Sequence, residues 1–386
     1  MFKIQTVNKI SPAGLSRFGE GFSVADQQDN PDALILRSAS LHEMQFPASL
    51  KAIARAGAGV NNIPVDRCAA EGIVVFNTPG ANANAVKELV VAGLLLSSRK
   101  IPAGIQWAAG LKGQGAEVGK LVEKGKSAFV GPEIQGKTLG VIGLGAIGVL
   151  VANAAQALGM NVLGYDPYLS VDAAWHLSGT IEKANSLDDI FAQADYITIH
   201  VPYMAETKDY LNADNIAKMK DGVRILNFAR GELVNTPAVL AGIASGKVAA
   251  YVTDFPNDDL LGVDGVIALP HLGASTPESE DNCARMAAEE LVRFLTTGAI
   301  VNSVNFPTVE LPPVAGGRLC VIHQNVPSML SQISAKVNES GQNIETMVNK
   351  SKKDYAYTVL DTAAPVADSV VEAVTGIEGV VRAWKF

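Results

Sequence analysis

Short apolar runs at residues 4–7, 33–36, 52–55 and 72–76 open the chain, separated by polar and helix-patterned stretches. This alternation predicts a parallel sheet with crossover helices. Residues 86–96 read as a strongly apolar helix that stops at Arg99-Lys100-Ile101-Pro102, and the glycine- and lysine-rich stretch up to Gln135 predicts the crossing into a second domain. Further apolar strands are predicted at 139–142, 161–165, 196–201, 223–227, 248–252 and 266–269, and residues 279–295 form a long helix expected to return to the first domain. Pro307, Pro312 and Pro313 followed by Gly316-Gly317 read as an extended linker ending in a flexible hinge. The last seventy residues then read strand 318–323, helix 328–340, strands 343–349 and 356–360, helix 366–374 and strand 380–385, a βαββαβ order. The expected domains are 1–101 with 275–306, an inserted domain at 102–274, a linker at 307–317 and a C-terminal unit at 318–386.

Gly143, Gly145 and Gly148 follow the strand at 139–142 and precede an Ala- and Val-rich helical run that begins Ala146-Ile147. The first glycine of such a G-x-G-x-x-G turns the chain, the second lets backbone approach a pyrophosphate, and the third lets helix pack on strand. The next strand ends in Asp166, near the spacing expected for an acid that binds a ribose 2′-hydroxyl and repels a 2′-phosphate. Strand, helix and acid in register predict a Rossmann-type doubly wound domain that binds NAD rather than NADP.

With 386 residues, 48% of them hydrophobic, the chain is large enough for two or three domains. A net charge of −8 argues against a nucleic-acid or anionic-membrane surface. Cys68, Cys283 and Cys320 are scattered and without nearby histidines, which supports neither a disulfide framework nor a metal site. No apolar run has membrane-spanning length, and the N-terminus lacks a basic segment followed by an apolar one, so the reading expects a cytoplasmic protein.

Hydride exchange between NAD and a hydroxy acid needs a base, a cation for the carboxylate and a group that orients the base. His271 follows the strand at 266–269, where a base at a strand's carboxyl end faces the ligand crevice. Arg230 follows the strand at 223–227, and its planar fork suits a carboxylate. The orienting acid must come from Asp254, Asp258 or Asp259. Gly57–Asn62 and Asn77–Asn82, which follow two strands of the first domain, offer small residues to an anionic substrate.

The glycine motif with Asp166, the run Asn227-Phe228-Ala229-Arg230-Gly231, and Pro270-His271-Leu272-Gly273-Ala274-Ser275-Thr276 together resemble the D-2-hydroxyacid dehydrogenase family over nearly the whole chain. The resemblance implies an α/β fold in which the NAD domain is inserted in a flavodoxin-like substrate domain. It implies that His271 is the acid/base, that Arg230 binds the substrate carboxylate, and that Asp258, aligned on Phe255, orients His271. Family members usually carry glutamate at that place, so the shorter aspartate is met by a backbone shift or Asp259 substitutes for it. Val201, Pro202, Phe228, Ala229, Gly273 and Ala274 would line the cofactor, with Asp254 near the nicotinamide amide. Arg37, Ser38 and Arg55 would hold a substrate phosphate, and Asn77, Gly80 and Ala81 its carboxylate end. The implied reaction is oxidation of 3-phospho-D-glycerate to 3-phosphohydroxypyruvate, at the entry to serine synthesis. Reduction of glyoxylate or hydroxypyruvate, or a non-catalytic NAD-sensing role like that of a corepressor, are the alternatives. The C-terminal unit resembles an ACT domain, which implies a homodimer or homotetramer with L-serine bound by His323, Asn325 and Asn343. Ser328 stands where such domains usually have glycine.

Overall fold

The computed structural model describes residues Met1–Phe386. The chain divides into two compact units, Met1–Asn82 with Pro277–Phe386, and Ala83–Thr276.

The first unit begins with a parallel sheet of β1 (Phe2–Thr6), β2 (Phe22–Ala25), β3 (Ala33–Leu36), β4 (Ala52–Arg55) and β5 (Val74–Phe76), in the order β2-β1-β3-β4-β5. This is the flavodoxin-like order, whose direction reverses between β1 and β3. Strands β3 to β5 are nearly continuous apolar runs because both faces of a parallel sheet are covered. Strand β2 is not predicted by the apolar pattern of the sequence. Its residues are half-buried or exposed at the sheet edge, which leaves little apolar signal. The long helix Pro277–Thr297 lays Ala284, Ala287, Leu291 and Phe294 into the core beside Ile4, Ile35 and Phe76. Gly14 is required here, because a Cβ would come within 2.5 Å of the Ala284 backbone.

The second unit is a parallel sheet of β6 (Thr138–Ile142), β7 (Asn161–Tyr165), β8 (Glu182–Lys183), β9 (Tyr196–Ile199), β10 (Val223–Asn227), β11 (Val248–Thr253) and β12 (Val266–Ala268). Its order, β12-β11-β10-β9-β6-β7-β8, is that of the doubly wound dinucleotide-binding fold with one added edge strand. Helix Ala83–Arg99 belongs to this unit, where Val86, Val90 and Leu94 join the core of Leu139, Val141 and Leu226. The chain therefore enters the second unit at Ala83, earlier than the expected 102, and leaves it after Thr276, near the expected 274. Lys100 ends that helix in a left-handed conformation, φ +46°. The stretch without a readable pattern is helical at Ile101–Ala109 and Val118–Gly125. Neither helix buries a residue, and the apolar stripe of Val118, Leu121 and Val122 faces no core of this chain.

The C-terminal residues return to the first unit as an antiparallel sheet of β13 (Gly317–Gln324), β14 (Ile344–Lys352), β15 (Tyr355–Thr362) and β16 (Val380–Lys385), in the order β14-β15-β13-β16. With helices Met329–Glu339 and Asp368–Thr375 this is the expected βαββαβ unit. The two faces of β13 and β15 are both buried. Leu319, Val321 and Leu360 pack on Ile333, Val337, Val370 and Val374 of the helices. Cys320, Ile322, Tyr357 and Val359 turn the other way and join Phe76, Phe294 and Phe306 in the core of the first unit. The expected hinge at Gly316-Gly317 is packed instead. A Cβ on Gly316 would lie 2.4 Å from the Thr362 carbonyl oxygen, and one on Gly317 would lie 2.3 Å from that of Ala364. The glycines serve close approach of two backbones rather than freedom. No helix is long and apolar enough to cross a membrane.

Candidate functional site

The glycine motif sits at the reversal between β6 and β9, the place where doubly wound sheets bind ligands. Gly143 adopts φ +91°, and a Cβ there would meet the His200 carbonyl group at 2.8 Å. A Cβ on Gly148 would lie 1.9 Å from the Gly143 carbonyl oxygen, so the helix Ala146–Ala157 can start this close to the strand only without a side chain. Gly145 faces open space, and no side chain caps the helix that begins at Ala146-Ile147. Its first amides remain free to meet a pyrophosphate. Asp166 follows β7 and accepts hydrogen bonds from the backbone N–H of Leu144 at 2.8 Å and of Tyr168 at 2.8 Å. It lines a cavity of about 320 Å³ with Leu144, Gly164, Pro167, Leu177 and Ile181. Apolar walls with Asp166 at one end, and with Glu182 and Lys183 also lining the space, fit an adenosine whose ribose hydroxyls donate to the acid.

Val201 and Pro202 follow β9, and Val201 packs where a Cβ on Gly143 would intrude. His200 just before them places Nε2 2.9 Å from Thr198 Oγ1, while burial pushes its ring down to about 3 and keeps it neutral. His200 is not predictable from sequence, because a histidine inside an apolar strand end gives no local signal.

Adjacent strands β10, β11 and β12 deliver Arg230, Asp254 and His271 at their carboxyl ends. Asn227, fully buried at the end of β10, donates to the Arg230 carbonyl at 2.8 Å and accepts from the Ala229 N–H at 3.2 Å. It thereby fixes the turn Phe228-Ala229-Arg230. Phe228 is buried against Gly93, and the Arg230 guanidinium is exposed at the rim. His271 adopts φ +46° and donates its backbone N–H to the Asp254 carbonyl at 2.9 Å. Its ring leans on Phe255 with centroids 4.8 Å apart.

Asp254 is the acid that turns inward. It is 1% exposed, and Oδ2 accepts from the Gly273 N–H at 2.9 Å. Burial pushes its carboxyl upward, while the Gly273 N–H and the charges of His271 and Arg230 pull it back. Its Oδ1 is buried without a partner. An unused acceptor at this depth fits the carboxamide N–H of a nicotinamide. Together with the glycine cradle and Asp166 it makes the residues present a fit for NAD. Asp258 and Asp259 lie exposed on the 3-10 turn Asp258–Leu260, and neither makes a hydrogen bond with His271. Gly273 and Ala274 continue past His271, and a Cβ on Gly273 would lie 3.2 Å from Asp254 Oδ2.

In the first unit, Arg37 and Ser38 follow β3 and Asn8 follows β1, at the reversal of that sheet. Asn8 Oδ1 accepts from the Arg37 N–H at 2.9 Å, and its amide donates to Ser38 Oγ at 3.3 Å. Arg55, the last residue of β4, donates from Nε to the Arg37 carbonyl at 3.1 Å and lies across Gly57, where a Cβ would strike the guanidinium. Asn77 donates to the Ala58 carbonyl at 2.6 Å, and Gly80 takes φ +81° just before Ala81. Arg37 forms an ion pair with Glu280, 2.6 Å from Nη1 to Oε1, which no local sequence pattern announces.

Of the expected effector residues, Asn325 and Asn343 are exposed. His323 is buried: its Nδ1 donates to the Gln324 carbonyl at 2.7 Å and its Nε2 lies 2.8 Å from Thr358 Oγ1. Ser328 holds φ +67°, a conformation that glycine adopts without strain.

Residues 92–273 match the NAD binding domain of the D-isomer specific 2-hydroxyacid dehydrogenases. The D-3-phosphoglycerate dehydrogenase of Escherichia coli K12 is 34% identical over 338 residues, covering 84% of this chain and 78% of that protein. That of Bacillus subtilis 168 is 34% identical over 364 residues, 89% of this chain and 66% of the relative, and that of Archaeoglobus fulgidus is 37% identical over 292 residues, 72% of this chain and 52% of the relative. The chain thus spans between half and two thirds of the length of the latter two. The NAD⁺-bound 3-phosphoglycerate dehydrogenase of Entamoeba histolytica superposes with a TM-score of 0.61 at 26% identity, covering 79% of this chain and 98% of that one. Together with the strand orders, the glycine cradle and the Arg230–Asp254–His271 cluster, this degree of likeness means that the chain belongs to the D-isomer specific 2-hydroxyacid dehydrogenase family.

Proposed function

We propose that this chain oxidises 3-phospho-D-glycerate to 3-phosphohydroxypyruvate with NAD as cofactor, the first step of L-serine biosynthesis. The observation that carries the reading is the convergence of Arg230, Asp254 and His271 from three adjacent strands, on the same sheet as the glycine cradle. His271 takes the proton of the C2 hydroxyl as the C2 hydride departs. Bound NAD⁺ supplies the acceptor for that hydride. Arg230 holds the substrate carboxylate with its planar fork. Asp254 lies buried beside both: burial raises its carboxyl, and the charges of Arg230 and of the imidazolium that forms favour its ionised form in return. Asp258, or Asp259 beside it, is the acid assigned to orient the His271 ring. Phosphate recognition falls to Arg37, Ser38 and Arg55, with Asn77, Gly80 and Ala81 assigned to the carboxylate end. The D-3-phosphoglycerate dehydrogenases among the relatives support that choice of substrate.

NADH oxidation measured with phosphohydroxypyruvate, hydroxypyruvate and glyoxylate tests it. The phosphorylated acid is expected to lead in kcat/KM by at least about tenfold, since only it brings a second anion to Arg37 and Arg55. A lead for glyoxylate or hydroxypyruvate would replace the substrate by a small 2-keto acid. Absence of turnover with all three would favour the NAD-sensing role.

The same reading takes the C-terminal βαββαβ unit as an ACT-like effector module. Exposed Asn325 and Asn343 flank it, and Gln342 keeps a buried Oε1 without a partner. These support a site for L-serine, with His323 acting from beneath through the backbone it holds. Millimolar L-serine in the steady-state assay is expected to inhibit, and unchanged rates would leave the module a purely structural one. Strand β14 is an exposed nine-residue edge, which supports pairing into a homodimer or homotetramer. Three buried free thiols support a reducing, cytoplasmic setting.

A further inference from the structure

Arg37 is the arginine nearest the reversal of the first sheet, and its guanidinium is already paired with a carboxylate of the same chain. Glu280, in the first turn of helix Pro277–Thr297, places Oε1 2.6 Å from Arg37 Nη1. Both side chains are partly open to solvent, 39% and 45% exposed, so an incoming anion has access to the pair. The backbone around Arg37 is held independently of it: Asn8 accepts the Arg37 N–H, and Arg55 takes the Arg37 carbonyl. Glu280 is thus not needed to shape the loop. Its neighbours on the helix are committed elsewhere, since Asp281 accepts from Ser11 Oγ and lies 4.0 Å from Arg285.

We propose that Glu280 is the specificity-determining residue of the anion site, an internal carboxylate that a substrate must displace from Arg37. The inference rests on the phosphorylated-substrate reading above. A carboxylate and a phosphate dianion compete for the same planar fork, and the dianion makes the stronger charge-assisted contacts. A phosphorylated substrate therefore displaces Glu280, at a cost in affinity, whereas an acid lacking the second anion leaves the pair closed. The acid that neutralises Arg37 at rest thereby penalises only the substrate that brings a second anion, and so sets how far the phosphorylated acid is preferred. An acid that only complements the positive end of its helix would have no such effect on substrate choice.

Steady-state kinetics of Glu280→Gln and Glu280→Asp with phosphohydroxypyruvate and hydroxypyruvate test the inference. Removing the competing charge in Glu280→Gln is expected to lower KM for phosphohydroxypyruvate by about two- to fivefold, as for one partly exposed ion pair. The gain should be carried by KM rather than kcat, raise the ratio of the two substrates' kcat/KM, and shrink at high salt. Inorganic phosphate should inhibit the glutamine variant more strongly than the wild type. Glu280→Asp, which keeps the charge, should restore wild-type selectivity at least in part. An unchanged or raised KM for phosphohydroxypyruvate in Glu280→Gln, in an enzyme whose wild type prefers that substrate, overturns the role of Glu280 alone. A wild type without that preference overturns the phosphorylated-substrate reading itself, and this inference falls with it.

Discussion

Replacing His271 by alanine is expected to lower kcat/KM by about a thousandfold, within the range lost when a positioned acid/base is removed. NADH binding, followed by quenching of protein fluorescence, should change little, because the cradle of Gly143, Gly145, Gly148 and Asp166 lies on the other side of the sheet's reversal. The alanine variant alone would be open to a second explanation. His271 holds φ +46°, and a residue with a Cβ but no polar side chain pays a penalty of about 1 kcal/mol or more there. His271→Asn removes the imidazole yet tolerates the left-handed backbone, since asparagine is enriched in that region. Both variants should lose turnover. Retained activity in the asparagine variant would remove the acid/base role, and loss of NADH binding in it would point to backbone disruption instead. The Asp254 carbonyl accepts the His271 N–H, so the backbone anchor survives either substitution.

The largest effect on stability is expected from Arg318→Met, with a loss of about 3–5 kcal/mol. Arg318 is 1% exposed, and its fork spans Asp361, with Nε–Oδ1 at 2.5 Å and Nη2–Oδ2 at 2.8 Å. Its remaining amino group donates to the carbonyls of Thr297 at 2.8 Å and Pro312 at 2.9 Å. One side chain thus ties the end of the long helix, the stretch after Pro307 and the C-terminal sheet. Methionine fills the volume but leaves a carboxylate and two carbonyls without donors, and each buried orphan is costly. Urea unfolding should show the midpoint falling with little change in slope. Arg318→Lys should fall between, because an ammonium keeps the charge and loses the fork. A loss below about 1 kcal/mol for Arg318→Met would mean that the contacts of Cys320, Ile322, Tyr357 and Val359 hold the C-terminal sheet without it.

Much of the fold was legible because it is written in contiguous residues. Apolar runs for β3 to β7 and β9 to β12 stand out, since both faces of a parallel strand are buried. The edge strand β2 left no such mark, because its residues are at most half-buried. Ser328 illustrates the reverse case: its oddness against related domains was visible in the sequence, and its φ of +67° supplies the cause.

By itself the sequence determined the doubly wound domain, its glycine cradle with Asp166, the strand-end positions of Arg230 and His271, and the βαββαβ order of the C-terminus. Each depends on neighbours within one turn, one strand or one supersecondary unit, where sterics and periodicity act locally. Tertiary structure alone decided that Asp254 turns inward while Asp258 and Asp259 stay exposed, because the Gly273 N–H that receives Asp254 lies on a different segment. It alone paired Arg37 with Glu280 and packed Gly316-Gly317 against the backbone that follows β15. It alone buried the second face of the C-terminal sheet on the first unit. The physical reason is common to all of these. Partners distant in the chain are chosen by which faces remain to be covered once the sheets have formed, and no run of adjacent residues encodes that choice.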